Sequence, residues 1–352
     1  MTSLEQTINQ ISPSSEEAQV DAEAHQATLT KPSGSLGRLE GLATQIASIT
    51  DSALPSALVR RAVIVMAGDH GVIKQGISAY PSEVTAQMVH NFANGGAAVN
   101  VIARTVGARV IVVDIGVASN VSDAPGVISK KVVVGTDDLS VGPAMSREDA
   151  RRTIEVGIEI VEAEIERGLD IVCTGEMGIG NTTAAAAIVS SVTGQPPHST
   201  VGRGTGLNNE RLAHKISVVE ASLAINSPIK QDGLDILAKV GGAEIGGMVG
   251  VILGAAAARI PVVIDGYIAG AAALIAATLC PFVTDFLIAG HRSAEPGHTA
   301  ALEHLRLQPV LDLDLRLGEG TGALLALPII DAAIATHRDM ATFASAGVSA
   351  SP

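Results

Sequence analysis

Aromatic side chains are scarce, with four Phe, two Tyr and no Trp in 352 residues, too few for a platform on which single-stranded nucleic acid stacks. Cationic side chains are outnumbered, 23 Lys and Arg against 36 Asp and Glu, for a formal charge of −13. That balance argues against general nucleic-acid binding, which depends on Lys and Arg neutralising phosphates. Cysteine is limited to Cys173 and Cys280, each inside an apolar run. Two are too few for a disulfide framework or a cysteine-based zinc site, and a reducing, cytoplasmic setting is expected. The opening Met-Thr-Ser-Leu-Glu-Gln has neither a cationic start nor an apolar stretch, so no secretory leader is expected. One uncharged stretch, residues 266–284, reaches 19 residues, close to the length a bilayer requires. It holds six Ala, two Gly and Pro281 between Asp265 and Asp285, without a flanking Lys/Arg cluster. It reads as a buried helix of a large protein rather than a membrane span.

The length exceeds one common domain, so one large domain with an appendage, or two domains, is expected. Ser14 followed by Glu17 has the spacing of a capping box and opens a helix over 12–29. Lys31-Pro-Ser-Gly-Ser-Leu-Gly breaks it, and a second helix runs from about 35 to 50. From Arg60 onward, apolar runs rich in β-branched residues recur at 62–66, 109–113, 131–134, 170–173, 261–264 and 286–289, with a weaker one at 309–313. Helical stretches separate them, among them 82–105, broken at Asn94-Gly-Gly96, and 146–167. Short continuous apolar runs between helices are the pattern of parallel strands covered on both faces. Residues 60–322 therefore read as an open α/β domain. The N-terminal helices, joined by one around 325–338, form a smaller helical part, and the last twelve residues read as a loose tail. No period of 20–50 residues marks a solenoid.

Glycines and polar residues gather just after the expected strands, in Ala67-Gly-Asp-His-Gly71, Thr174-Gly-Glu-Met-Gly-Ile-Gly-Asn-Thr-Thr183, Asp265-Gly-Tyr267, Gly290-His-Arg-Ser-Ala-Glu-Pro-Gly-His298 and Leu317-Gly-Glu-Gly-Thr-Gly322. Ligands of open α/β sheets bind beyond the carboxyl ends of the strands, so one cleft would unite these segments. The 175–183 run lies between a strand and an Ala-rich helix, where backbone amides can face an anion. Its spacing matches neither G-x-x-x-x-G-K-[ST] nor G-x-G-x-x-G, so it is either a phosphate-binding turn or a packing turn. Gly202-Arg-Gly-Thr-Gly206 adds a second glycine cluster and a cation, or is a flexible surface loop. Glu319, between two glycines, becomes a proton acceptor near neutral pH if apolar surroundings raise its pKa, and is otherwise a solvated turn residue. Glu176 carries the same alternatives. Asp69, His70, His291, Glu295 and His298 form no H-E-x-x-H pattern and read as polar groups lining a cleft, with no metal expected. No G-x-S-x-G elbow is present. Lys215 falls on a helix after Asn208, where a solvated lysine is the default.

Together with Thr30-Lys-Pro-Ser-Gly-Ser-Leu-Gly-Arg-Leu-Glu40 and Tyr80-Pro-Ser-Glu-Val-Thr-Ala-Gln-Met-Val89, these motifs resemble the nicotinate-nucleotide–dimethylbenzimidazole phosphoribosyltransferase family of cobalamin biosynthesis, in family order over nearly the whole chain. The resemblance implies a large Rossmann-like α/β domain at 60–322 and a small helical domain built from both chain ends, 1–59 and 323–352. It implies transfer of the 5-phosphoribosyl group of nicotinate mononucleotide to 5,6-dimethylbenzimidazole, with inversion, by a homodimer using no metal and no redox cofactor. Glu319 maps onto the family's base and Glu176 lies near the ribose. Gly178, Ile179, Gly180, Asn181 and Thr182, with Gly202, Arg203 and Gly204, would hold the 5′-phosphate; Ser293 and Lys215 join them by motif position. Tyr80, Gln87, Met177 and Leu317 would line the acceptor pocket, with Gln87 bonding a ring nitrogen. A nicotinamide-dependent oxidoreductase would want an acid about twenty residues beyond the glycine turn, where residue 200 is threonine. A phosphoribosyltransferase using the pyrophosphate-activated sugar would want paired acids at a strand end, and Val112-Val-Asp-Ile-Gly116 offers one. A non-catalytic nucleotide sensor would tolerate loss of Glu319.

Overall fold

The computed structural model describes residues 3–204 and 206–349. Strands β1 (Arg61–Gly68), β2 (Ala108–Gly116), β3 (Ile128–Ser129), β4 (Ile171–Met177), β5 (Val262–Ile264) and β6 (Leu287–Ala289) form one sheet in the order β3-β2-β1-β4-β5-β6, every neighbouring pair parallel. This is the doubly wound order in which the chain reverses direction between β1 and β4, leaving a crevice at their carboxyl ends. β7 (His291–Arg292) and β8 (Leu311–Asp312) make a two-stranded parallel ribbon beyond β6.

The helices in chain order are α1 (Ser3–Gln10), α2 (Glu16–Thr28), α3 (Arg38–Thr50), α4 (Glu83–Ala93), α5 (Ala98–Val106), α6 (Arg147–Glu166), α7 (Asn181–Thr193), α8 (Pro197–Thr200), α9 (Asn209–Asn226), α10 (Gly233–Val240), α11 (Ala243–Ala257), α12 (Tyr267–Leu279), α13 (Pro296–Leu305), α14 (Thr321–Asp339) and α15 (Phe343–Ala346). They cover both faces of the sheet. Ala62, Ile64 and Met66 of β1 enter one core with α6, α7, α11 and α12, while Val63, Val65 and Ala67 enter the other with α3, α4, α5 and α14. Alternate side chains of a strand point to opposite faces, so a run apolar at every position has to be covered twice. The uncharged 266–284 stretch becomes α12, buried from Tyr267 to Ala276. Among the described residues no helix is long and apolar enough to cross a membrane.

Several local expectations shift. Residues 131–134 leave the sheet edge instead of forming a strand: Lys131 turns its ammonium onto the carbonyls of Val117 and Ser119, and the adjacent pairing to β2 is made by Ile128 and Ser129. The 12–29 helix starts later, as α2 at Glu16, after Pro13, and a separate helix, α1, precedes it. Ser15 rather than Ser14 caps the second, its hydroxyl accepting from the Ala18 amide at 3.3 Å. The expected loose tail is tied down over its first part, because Thr342 bridges Leu29 and the Thr30 amide donates to Ala341 O at 2.9 Å; its residues 350–352 lie outside the described residues. Helices α2, α3 and α14 pack on one another, whereas α1 leans on α6 and α11.

Candidate active site

The loops leaving β4, β5 and β6 enclose a cavity of about 410 Å³, bounded on one side by Tyr80, Val84 and Met88 and on the other by residues 316–319. Glu176, the penultimate residue of β4, and Glu319 both line it and both are buried. Gly318 stands between them. Its φ is +87°, and a Cβ there would collide with Glu176 Oε1, so a side chain would be strained and would displace the Glu176 carboxyl. Burial raises the Glu176 carboxyl, Glu244, Asp265 and Glu319 raise it further, and the Asn181 amide only partly opposes them, leaving it pushed up to about 8. Burial likewise raises Glu319, with Asp265 adding and the Val99 N–H opposing. That N–H, at the start of α5, donates to Glu319 Oε2 at 3.0 Å. Glu319 itself has a φ of +65°, a left-handed conformation unusual for glutamate.

Asp265 explains how that conformation is held. Its carboxylate accepts the amides of Gly320 (3.2 Å), Gly322 (2.7 Å) and Ala323 (3.0 Å), and His291 Nε2 lies 3.6 Å away. The side chain after β5 thus fastens the first turn of α14 and the loop ahead of it. Asp265→Asn places an NH₂ among N–H donors, a cost of about 1–3 kcal/mol. We expect lower thermal stability and a lower turnover number together; wild-type turnover would show that the loop keeps its geometry without the carboxylate.

The cavity lining also carries a cationic side chain. Lys215 of α9, expected as a solvated lysine, is almost fully buried because its face of the helix packs on α7. Its ammonium donates to Thr182 Oγ1 at 2.7 Å and Gly202 O at 3.4 Å. Burial brings it down to about 8 against the opposing carboxylate of Glu295. Glu295 Oε2 has no hydrogen-bond partner among the described residues. Ser293 lines the cavity, and its amide donates to His298 Nδ1 at 2.8 Å. Burial, with His291 and Arg292, brings His298 down to about 3, so the ring is neutral and its Nδ1 is occupied as an acceptor. Among the described residues no group of three or more His, Cys, Asp and Glu side chains is placed to hold a metal.

Most of the residues singled out in the sequence line this one cavity: Glu176, Met177, Gly178, Ile179, Gly180, Asn181, Thr182, Gly204, Lys215, Ser293, Leu317, Glu319 and Tyr80. Leu317 and Tyr80 stand at the mouth, 59% and 53% exposed. Asp69, His70 and His298, expected among the polar groups of the cleft, do not line it, and neither do three of the expected phosphate- and acceptor-binding residues. Gln87 falls on the exposed side of α4, while Val84 and Met88, one helical turn apart, face the cavity. Arg203 points outward and donates to Leu207 O and Asn209 Oδ1. Gly202 is packed beneath Glu295 and Pro296. Thr205, inside the same run, lies outside the described residues. The amide cradle expected of the glycine turn is also narrower, since the amides of Ile179, Asn181 and Thr183 donate to Thr85 Oγ1, Gly178 O and Gly180 O. Asp265 was placed in the cleft by its motif but given no function of its own, and Arg316 was not singled out; Arg316 lines the cavity and donates to Gly204 O at 2.9 Å. The signal for Asp265 was present, a lone acid directly after a strand, but its partners lie 55 to 58 residues away.

Comparison with known proteins places this arrangement. A family model described as phosphoribosyltransferase matches residues 11–348. A nicotinate-nucleotide–dimethylbenzimidazole phosphoribosyltransferase of Chloroflexus aggregans is 58% identical over 349 residues, covering 99% of both chains. One from a Roseiflexus species is 57% identical over the same length. The crystal structure of the phosphoribosyltransferase of that name from Thermus thermophilus superimposes with a TM-score of 0.91 at 43% identity, covering 96% of this chain and all of the other. Alike almost end to end in sequence and in fold, the chain belongs to the nicotinate-nucleotide–dimethylbenzimidazole phosphoribosyltransferase family.

Proposed function

We propose that the chain transfers the 5-phosphoribosyl group of nicotinate mononucleotide to 5,6-dimethylbenzimidazole, yielding α-ribazole 5′-phosphate and nicotinate, with Glu319 as the general base. The observation that carries this reading is the set of charged groups lining one cavity: two buried carboxyls, Glu176 and Glu319, and the Lys215 ammonium. Nicotinate mononucleotide has the complementary charges, a cationic pyridinium at the anomeric carbon and an anionic phosphate on the 5′-carbon.

The pyridinium leaves with its bonding electron pair as a neutral ring nitrogen, so it requires no acid. Attack by one benzimidazole nitrogen makes the new bond to the anomeric carbon, and the other nitrogen sheds its proton to Glu319. Glu176 faces the ribosyl centre. A cation within about 4–6 Å favours the ionised form of a carboxyl, so donor binding draws the proton from Glu176 and leaves a negative charge beside the developing oxocarbenium. Lys215, Thr182, Asn181, Ser293 and the Gly204 backbone hold the phosphate. Tyr80, Met177 and Leu317, with Val84 and Met88, form the apolar bed of the acceptor.

The same proposal takes the protein as a homodimer acting in the cytoplasm, in keeping with two buried, unpaired cysteines, and divides the chain into a small helical domain, 1–59 with 323–352, and a large domain, 60–322. The packing of α2, α3 and α14 supports the division. The deciding assay incubates the protein with nicotinate mononucleotide and dimethylbenzimidazole and follows both products by mass. Base-dependent release of nicotinate with equimolar ribotide is the expected result; nicotinate release indifferent to the base would sink the proposal.

A further inference from the structure

The motif Ala67-Gly-Asp-His-Gly71 contributes nothing to the cavity lining, yet two of its side chains lie buried directly behind it. His70, in the loop after β1, and Glu244, in the first turn of α11, are completely enclosed and joined Nε2 to Oε1 at 2.7 Å. Burial favours the neutral ring, but Glu244 and then Asp69 outweigh it and raise His70. Removing either partner alone would leave a buried polar group without its hydrogen bond.

This pair is the floor under the glycine turn. A Cβ on Gly178 would lie 3.4 Å from both Glu244 Oε1 and His70 Cδ2, and 2.5 Å from the Gly68 carbonyl. Asp69 braces the same turn from the other side. Its Oδ2 accepts the Ala118 amide at 2.8 Å, and Thr85, which also stabilises this carboxylate, accepts the Ile179 amide at 3.1 Å. The ionisable groups facing the unit are Asp69, His70, Glu244 and Glu176; beyond Glu176 come Asp265, with His291 on its far side, and Glu319. Among the charged neighbours of Glu176, Glu244 acts on it most strongly, ahead of Asp265 and Glu319.

We propose that Asp69, His70 and Glu244 form a positioning unit for the phosphoribosyl donor, fixing the 178–181 turn and seating the Glu244 carboxyl behind Glu176. This inference rests on Glu176 facing the ribosyl centre of the donor, as proposed above.

Three variants test it: His70→Ala, His70→Gln, whose amide keeps a donor for Glu244, and the isosteric Glu244→Gln. His70→Ala loses about 10- to 100-fold in kcat/KM for nicotinate mononucleotide, with KM for dimethylbenzimidazole within about twofold of wild type. His70→Gln recovers most of that loss. In Glu244→Gln, removing a negative neighbour lowers the pKa of Glu176, so the limb of the donor kcat/KM profile that rises with pH moves to lower pH. Should His70→Ala fail to fold, the Glu244→Gln profile decides alone. A Glu244→Gln profile superimposable on wild type, or equal losses for both substrates, would overturn the inference while wild type stays active. An inactive wild type would remove the parent proposal and this one with it.

Discussion

Glu319→Gln is expected to bind nicotinate mononucleotide normally while losing about 10²–10⁴-fold in turnover, the range typical of general-base removal. The substitution is isosteric, and its amide oxygen can still accept the Val99 N–H, so the loop and its left-handed residue stay in place. The pH profile sharpens the test. A base works only when deprotonated, and burial raises Glu319 above the ordinary carboxylate range. The wild-type turnover number should therefore climb with pH along a limb displaced upward from that of a free glutamate, and the residual activity of the glutamine variant should lack that limb. Turnover near wild type would leave the attacking heterocycle to lose its proton to water, and the assignment of the base would fall.

Glu176→Gln should make the protein less active and more stable at once. Loss of a charge aimed at the reacting centre costs about 10²–10³-fold. The stability gain follows from linkage. In the folded state the carboxyl is pushed up to about 8 from a reference of 4.5, so the native protein holds this proton more tightly than the unfolded chain does. Stability then falls as pH rises through that interval, and the full penalty is present above it. A one-unit shift is worth about 1.4 kcal/mol, so the penalty is on the order of a few kcal/mol. Glutamine carries no charge to bury and keeps an acceptor for Asn181. The melting temperature of the variant should exceed wild type by a few degrees at pH 9 and converge with it near pH 5. A difference that does not grow with pH would mean that the carboxyl is not held protonated by its surroundings.

The sheet is legible in the sequence because residues 62–67 of β1, 171–173 of β4 and all of β5 and β6 are unbroken apolar runs, which double coverage explains. The 131–134 run misleads because Val132, Val133 and Val134 look like a strand, while what places them is a lysine reaching back to carbonyls of a different loop. At the site, Glu176, Glu319 and the glycine turn announce themselves by standing at strand ends among glycines. Gln87 does not reach the cavity because a motif fixes a helix but not its rotation, and a step of one residue turns a side chain by about 100°. The burial of Lys215 is equally invisible, since the packing of α9 on α7 is a long-range event. Asp265 is the sharpest case, for its importance lies entirely in three amides that a linear reading cannot bring near it.

Helix α14 begins two residues after Glu319 and runs 19 residues before its far end meets the N-terminal helices, where Gln26 and the Ala53 carbonyl hold both ring nitrogens of His337. That rod is about 28 Å long, with the reacting loop pinned at one tip and the opposite terminus of the polypeptide at the other. One helix thus carries the reacting loop at its first turn and the His337 anchor at its last, with Pro328 in its interior as the point where the rod can bend.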